Sequence, residues 1–493
     1  MDSIPGAAEA AEDREDTART SHRRAVRGLL RPTPGRAPGG AWTPRNDRRH
    51  AGKYSPRGCT LNQAGSQRGK AAGVSYTSPT VDDIWPMCNK VSREDATMRN
   101  PYTPGELPRV LAGREDQQHR IRGVLSRVSA YGETGGPPVV FLGPRGVGKT
   151  SLLREAQRDA DEHGFLTVWV SCHHGAPFLP DLVSRVDHAL RAADVVAKGD
   201  RRSLRLDEIA VELGVPTGVK VSARAAPDEG GGAETGAQVS ALEDLLHGTA
   251  TRVRERGGSG LLVLVDELHA PSRTDLAVLL NAMQNLAGGR EDSPFALVCA
   301  GLPSSVSVLT RAATFAERST FVTLPPLAPE AAAQAVGEPA EELGVGWTGP
   351  ALTEVVERAQ GFPYLLQVLA HATWQSASPV AGDRLGVADV RAGLPLVEAQ
   401  LDAMFAARWG AATPLEQHLL TVMAHAGSAS VTRAEIAAGM GRSTQSLGMP
   451  RERLIDKGIV EPAGHGRLRF TMPGFAEYLR ATTATGDASR PST

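Results

Sequence analysis

The chain has 493 residues, of which 41% are hydrophobic and 22% are charged, and its formal net charge is −1. No apolar run approaches the ~20 residues of a membrane-spanning helix, and no overall basic excess marks a protein that coats nucleic acid. A chain of this length accommodates about three domains, and its four scattered cysteines make no disulfide framework. Because the N-terminus also lacks a signal-peptide core, we expect a cytoplasmic protein with no membrane partner.

The first 97 residues differ in character from the rest. Between Arg19 and Lys70 there are thirteen Lys or Arg residues against one acidic residue, Asp47, and prolines and glycines interrupt every candidate helix. This composition predicts a disordered basic tail over residues 1–97. Three interpretations stay open: a flexible solvated tail, a basic arm on nucleic acid, or a segment that is not translated, with Met98 as the natural start.

Residues 98–326 alternate strand-like and helix-like patterns, which is typical of an α/β domain with a mainly parallel sheet. Apolar spacing predicts a helix over 117–131. Buried strands are predicted at residues 139–142, 165–170, 261–265, 295–300 and 321–324. A mobile loop is predicted at 227–232, and Pro325 with Pro326 marks the end of this domain.

A glycine-rich loop follows the first predicted strand and precedes a helical pattern. It reads Gly143, Pro144, Arg145, Gly146, Val147, Gly148, Lys149 and Thr150, with Ser151 next. This is the spacing of a P-loop, in which glycines let backbone N–H groups surround phosphate oxygens at a helix N-terminus. Lys149 is then expected to reach the β- and γ-phosphates, and Thr150 to ligate magnesium.

An acidic pair follows the third predicted strand. The run 261–265 is entirely apolar and is followed by Asp266 and Glu267. In an open parallel sheet, ligands bind at the carboxyl ends of the strands, so these carboxylates are expected beside the P-loop. We predict that Asp266 holds magnesium with Thr150, and that Glu267 polarises a water molecule towards the γ-phosphate.

Helical patterns then predict two smaller domains and a short tail. A helical lid is expected over residues 327–406, a second domain over 407–485, and a disordered tail over 486–493. In the second domain we predict a helix over 415–426, a capping box at Thr432–Glu435, a third helix from Ser443 to Lys457, and a hairpin around 463–466.

Three helices followed by a hairpin are typical of a winged helix-turn-helix. Its third helix would enter a DNA groove with Arg442, Ser443, Thr444, Gln445 and Ser446, and further arginines could contact phosphates, namely Arg451, Arg453, Arg467 and Arg469. Residues 413–480 nevertheless carry a net charge of only +2, from eight basic and six acidic residues. Pro450 also predicts a bend in the third helix. Double-stranded DNA and a protein partner therefore both remain open.

The order of these parts, over residues 98–480, resembles the AAA+ class of P-loop ATPases, in the branch of initiator-type and STAND-like ATPases. A Gly-Arg-Glu box of that branch is matched by Leu111, Ala112, Gly113, Arg114 and Glu115. The resemblance implies that Arg114 lies near the adenine. The Gly-x-Pro motif of the lid is matched by Gly361, Phe362 and Pro363, at the place of a sensor-2 arginine in other AAA+ proteins. ATP and Mg²⁺ are the implied ligands.

Two departures from that pattern bear on the rate of hydrolysis. The fourth strand is followed by Ser304 in place of the usual sensor-1 Asn or Thr, and the arginine finger is unclear, with Arg318 the first candidate and Arg311 the second. We therefore expect a slow nucleotide-dependent switch, with catalytic roles for Lys149, Glu267 and Arg318, and nucleotide-dependent oligomers. A DNA-binding regulator or replication-initiator-type protein with a subordinate ATP site is the alternative.

Overall fold

A computed structural model describes residues 98–193, 206–214, 231–289 and 293–487. The predictions for residues 1–97 and for most of the loop at 227–232 lie outside the described residues. Gly231 and Gly232, which were assigned to that loop, belong to a helix instead. Residues 486 and 487, assigned to the terminal tail, likewise belong to the last helix.

The helices are α1 (Glu115–Tyr131), α2 (Lys149–Glu162), α3 (Phe178–Ala192), α4 (Leu206–Glu212), α5 (Gly231–Glu255), α6 (Arg273–Gly289), α7 (Ser305–Ala312), α8 (Pro329–Glu341), α9 (Gly349–Ala359), α10 (Pro363–Ala377), α11 (Val387–Gly410), α12 (Pro414–His425), α13 (Arg433–Gly439), α14 (Gly448–Asp456) and α15 (Phe475–Asp487). The strands are β1 (Val139–Leu142), β2 (Phe165–Ser171), β3 (Gly260–Asp266), β4 (Phe295–Gly301), β5 (Thr320–Thr323), β6 (Gly346–Trp347), β7 (Arg384–Leu385), β8 (Val431–Thr432), β9 (Val460–Pro462) and β10 (Arg467–Phe470). None of these helices, which are those of the described residues, is both long and apolar enough to cross a membrane.

A five-stranded parallel sheet with the order β2-β3-β4-β1-β5 forms the centre of the α/β part. Every residue of β1, β3 and β4 is buried, as expected for parallel strands covered by helices on both faces. The predicted parallel sheet is confirmed, and the ends of its strands differ from those expected by at most one residue. Because the strands are parallel, Leu142, Asp266 and Gly301 end at the same edge.

Four helices, α8 to α11, follow the sheet and share a buried cluster with the segment that precedes α1. Tyr102 of that segment is 1% exposed and packs edge-on against Trp347 and Trp374. Its hydroxyl donates to the Val336 carbonyl and accepts a hydrogen bond of 2.9 Å from Trp347 Nε1. The segment before α1 is thus fixed to the helices that follow the sheet.

The C-terminal part combines α12 to α15 with a three-stranded antiparallel sheet of order β8-β10-β9. The capping box at Thr432 is present, since its hydroxyl accepts from the Glu435 amide. The expected third helix is wrong in its first turns, because a short 3₁₀ turn at Gln445–Leu447 precedes α14. Pro450 lies in the first turn of α14, where its missing N–H breaks no hydrogen bond, so it bends nothing.

Candidate nucleotide-binding site

A cavity of about 580 Å³ lies between the loop after β1, the segment before α1 and the start of α10. Most of the predicted site residues line it, namely Arg114, Arg145, Gly146, Val147, Gly148, Lys149, Thr150, Ser151, Glu267 and Pro363. Residues from four separate stretches of sequence therefore surround one space. Its volume falls in the usual range for a pocket that holds a small ligand.

The loop between β1 and α2 has the backbone that its glycines allow. Gly146 and Gly148 adopt left-handed φ angles of 85° and 93°, and α2 begins directly after Gly148. A side chain at position 146 would also come within 3.0 Å of Tyr364 Cβ. Tyr364, in the first turn of α10, donates its backbone N–H to the Gly146 carbonyl at 3.2 Å. The loop is therefore held against α10.

Lys149 is 5% exposed, and its ammonium lies inside the loop. Nζ donates to the carbonyl oxygens of Gly143 and Pro144, each at 2.9 Å. Burial lowers the pKa of Lys149 to about 8, although the charges of Glu267 and Asp266 oppose that change. A buried cation that bonds to neutral carbonyls suits a polyanionic ligand, which supplies the missing negative charge.

Thr150 and Asp266 come together as their spacing predicts. Thr150 Oγ1 donates to Asp266 Oδ2 at 2.7 Å, and Asp266 Oδ1 accepts from the Glu267 amide at 2.9 Å. Burial raises the pKa of Asp266, and the two hydrogen bonds oppose that rise. A hydroxyl and a carboxylate in direct contact at the end of the sheet are oxygen donors of the kind that Mg²⁺ takes in phosphate sites. These two residues therefore fit the ion.

Glu267 has a left-handed φ of 56°, which is uncommon for a residue with a side chain. Its Oε2 lies 3.3 Å from His269 Nε2 and 3.9 Å from an Arg145 Nη. Burial lowers the pKa of His269 to about 4, so this ring is neutral at pH 7. Sequence reasoning missed His269. Its position two residues after the acidic pair, at the end of the same strand, could have identified it as a site residue.

Arg114 is 2% exposed, and among the described residues its side chain donates only to backbone carbonyls. Its Nη2 donates to the Val147 carbonyl at 3.1 Å and to the Pro325 carbonyl at 2.8 Å. Burial lowers the pKa of this arginine. Arg114 therefore joins the glycine loop to the chain that leads from β5 into α8, and it forms part of the cavity wall.

Arg318 does not line this cavity. It ends a 3₁₀ turn just before β5, where the Thr320 amide donates to the Pro138 carbonyl. That place is the amino-terminal edge of the sheet, opposite the glycine loop, and Arg318 lines a separate cavity of about 770 Å³ there. Arg311 bonds to the Ser307 carbonyl through Nε. Arg318 therefore lies too far from the glycine loop of its own chain to act there in this arrangement.

Two family models match the chain. The model described as an AAA ATPase domain matches residues 110–298, and that of a domain of unknown function, DUF8462, matches residues 402–479. These findings support an AAA+ P-loop ATPase. The AAA match contains the glycine loop, Arg114 and the acidic pair, whereas the second match covers the end of α11 and most of the C-terminal part. A comparison with curated proteins finds no match.

Several solved structures resemble the fold. A Walker-type ATPase of Pyrococcus abyssi aligns with a TM-score of 0.50 and 14% identity, over 78% of this chain and 99% of its own. The ORC2 protein of Aeropyrum pernix in its ADP form gives 0.48 and 16%, over 78% and 98%. Cdc6p of Pyrobaculum aerophilum gives 0.40 and 15%, over 79% and 98%. At these identities the likeness to the P. abyssi protein concerns the fold alone.

Proposed function

We propose that this protein is a slow ATP-dependent switch, which binds Mg-ATP at the glycine loop and passes the nucleotide state to its C-terminal part. The contact between Thr150 Oγ1 and Asp266 Oδ2, beside the buried Lys149, carries the proposal. Bound magnesium would supply positive charge to the β- and γ-phosphate oxygens, with Thr150 and Asp266 as its protein ligands. ATP is favoured because the matched domain model is that of an ATPase.

Each part of the cavity has a role in this proposal. Backbone N–H groups from Gly146 to Thr150 surround the phosphates, and the N-terminus of α2 adds partial positive charge. Arg114 keeps the loop in place through its bonds to two carbonyls. Pro363, at the first position of α10, forms the wall on the side of the lid.

Hydrolysis is assigned to Glu267, which lines the cavity next to Asp266. A carboxylate there can accept a proton from water as it attacks the γ-phosphate. We propose slow turnover, because Arg145 and His269 both lie close to this carboxylate and have to release it for a water molecule. Ser304 in place of a sensor-1 Asn or Thr supports the same conclusion.

The C-terminal part is proposed to be a winged helix, with β9 and β10 as the wing. Its contact with the ATPase part supports the coupling. A side chain at Gly458, two residues after the end of α14, would lie 3.2 Å from Leu302 and 3.7 Å from Arg145 Nε. Leu302 follows β4 and Arg145 belongs to the glycine loop, so a change at the phosphates is close to the base of the winged helix.

Nucleotide binding tests the site. Lys149→Ala should lower the affinity for Mg-ATP by about a hundredfold or more, since it removes a buried charge-assisted contact to phosphate. Titration calorimetry measures this affinity. Arg158→Ala is the matched control, because Arg158 lies on the same helix and pairs with Glu155 at the surface. Equal affinities for Lys149→Ala and wild type would refute the site.

The exposed segment before α14 favours a second candidate function, a DNA-binding regulator. All residues from Arg442 to Ser446 are exposed. Two of the arginines expected on phosphates are engaged within the chain, however, since Arg467 bonds to Ser430 and Arg469 to Glu461. The full chain should then bind a labelled duplex with an affinity that falls steeply with salt. Absence of binding at low salt would leave the winged helix as a protein contact.

Arg318 can serve a nucleotide site if a second copy presents it. Its position at the far edge of the sheet supports a role between subunits, in keeping with nucleotide-dependent oligomers. Light scattering with Mg-ATP and with Mg-ADP tests this point. If the protein has the same molar mass with Mg-ATP and with Mg-ADP, nucleotide-dependent assembly through Arg318 is contradicted.

A further inference from the structure

A second cavity, of about 650 Å³, adjoins the nucleotide site. Its walls include Arg145 of the glycine loop, Arg408 near the end of α11, and Arg453, Asp456 and Lys457 at the end of α14. Arg145 also lines the nucleotide cavity, so its guanidinium lies at the boundary of both spaces. The second cavity therefore opens beside the place where the phosphates of a nucleotide would end.

The charged residues of this cavity are mostly basic, and they differ in whether another group of the chain pairs with them. Lys457 is engaged, since its Nζ donates to the Ala411 carbonyl at 2.8 Å and to Glu416 Oε2 at 2.6 Å. Arg145 lies 3.9 Å from a Glu267 oxygen. Within the part of the chain that the structure describes, Arg408 has no hydrogen bond or ion pair. It is half-buried, and among the described residues it has no direct ionic partner, although the Asp456 carboxylate lines the same cavity.

Arg408 and Arg145 are close enough to repel each other. Burial lowers the pKa of Arg408, the charge of Arg145 lowers it further, and Tyr364 opposes both effects. Two guanidinium groups that share a half-buried space are unfavourable unless an anion lies between them. Because guanidinium groups form paired hydrogen bonds with phosphate oxygens, a phosphoryl group is the anion that fits best.

We propose that Arg408 and Arg145 together bind the terminal phosphate of the nucleoside triphosphate in the adjacent cavity. The inference rests on the proposed function, because Lys149, Thr150 and Asp266 place that phosphate near Arg145. A diphosphate would not reach Arg408. The chain then distinguishes the two nucleotides through α11, a helix outside the sheet.

Arg408 also connects the terminal phosphate to the C-terminal part. It lies three residues before Ala411, whose carbonyl accepts from Lys457, and Lys457 holds Glu416 in the first turn of α12. Movement of Arg408 towards a phosphate therefore displaces the end of α11, which leads directly into the C-terminal part.

Calorimetry with Mg-ADP and with the magnesium complex of a non-hydrolysable ATP analogue tests this inference. Arg408→Gln should weaken analogue binding about tenfold, the loss of one charge-assisted contact, and leave ADP binding within about twofold. Arg391→Gln is the matched control, since Arg391 lies on the same helix, is 68% exposed and is 3.6 Å from Glu354. It should change neither affinity. Arg408→Lys keeps the charge and should restore part of the preference.

The outcomes separate the inference from the proposed function. If wild type binds neither nucleotide, both fail. If wild type binds them and Arg408→Gln keeps the wild-type ratio of affinities, this inference alone is overturned. The thermal melting temperature without nucleotide should not fall in Arg408→Gln, because the substitution removes a repulsion. If that variant does not fold, Arg145→Gln must show the same loss of preference for the triphosphate analogue, and an unchanged ratio there overturns the inference.

Discussion

The nucleotide cavity and the C-terminal part bury charged groups in different ways. Around the cavity, Lys149 and Arg114 bond to backbone carbonyls and Asp266 to a neutral hydroxyl. In the C-terminal part, buried Glu416 meets Lys457 at 2.6 Å, and Glu461 meets Arg469 at 2.6 Å. Charges of the first kind are left for a ligand to neutralise, whereas those of the second kind are neutralised within the chain. We therefore expect the charged groups of the cavity to lower the free energy of unfolding when no ligand is bound, and those of the C-terminal part not to lower it.

The largest effect is expected for Glu267→Gln. An amide cannot accept the proton from an attacking water, so the rate of ATP hydrolysis should fall about a hundredfold or more while nucleotide affinity is retained. A phosphate-release assay and calorimetry on the same preparation measure the two quantities. A variant that hydrolyses ATP at the wild-type rate would show that another group activates the water.

A smaller effect, on stability, is expected for Glu416→Gln. Glu416 is 1% exposed, and its loss should lower the free energy of unfolding by about 2 kcal/mol, less than for a fully buried pair because Lys457 is partly exposed. Thermal and urea unfolding measure it. Glu477→Gln serves as the control, since the pair of Glu477 with Arg480 lies at the surface.

The same pair predicts a dependence on pH. Burial raises the pKa of Glu416, but hydrogen bonds from Lys457 and the Thr413 amide outweigh it, so the pKa lies below its ordinary value. The stabilisation is then complete above about pH 4.3, the ordinary pKa of Glu, and is lost as pH falls through the lower folded value. Melting curves of Glu416→Gln should lack this loss. An identical acid dependence in both proteins would contradict the pairing.

A change of the opposite kind is expected for Lys149→Met. The substitution removes a desolvated charge along with two hydrogen bonds to carbonyls, so the stability without nucleotide should stay within about 1 kcal/mol of wild type or rise. Urea unfolding measures this difference. If Lys149→Met lowers the free energy of unfolding as much as Glu416→Gln does, the two regions do not differ in how they bury charge.

The smallest effect is expected for Arg469→Gln. Arg469 is 56% exposed beside Glu461, and exposed ion pairs contribute about 0.5 kcal/mol, so thermal unfolding should change little. A loss above about 2 kcal/mol would mean that this pair supports the hairpin as Glu416 supports α12.

The sequence predicts the sheet and the central contacts of the cavity well, because both follow from local pattern. Apolar runs locate the strands, and their parallel arrangement brings Thr150 to Asp266 across 116 residues. Arg408 and Tyr102 were not predicted, since the packing of helices after the sheet decides what they meet. The start of α14 was missed because the sequence from Ser443 to Leu447 satisfies a 3₁₀ turn as readily as a helix.

The hydrogen bond from the Tyr364 amide to the Gly146 carbonyl closes one side of the phosphate loop with backbone alone. A ligand whose phosphates lie inside the loop cannot leave on that side until α10 tilts away. We therefore expect nucleotide exchange to require this movement of α10, and the release rate of a fluorescent ADP should report how often it occurs. Substitutions of side chains near the adenine should alter affinity by changing how fast the nucleotide rebinds. Substitutions that loosen α10 should instead shorten the lifetime of the complex.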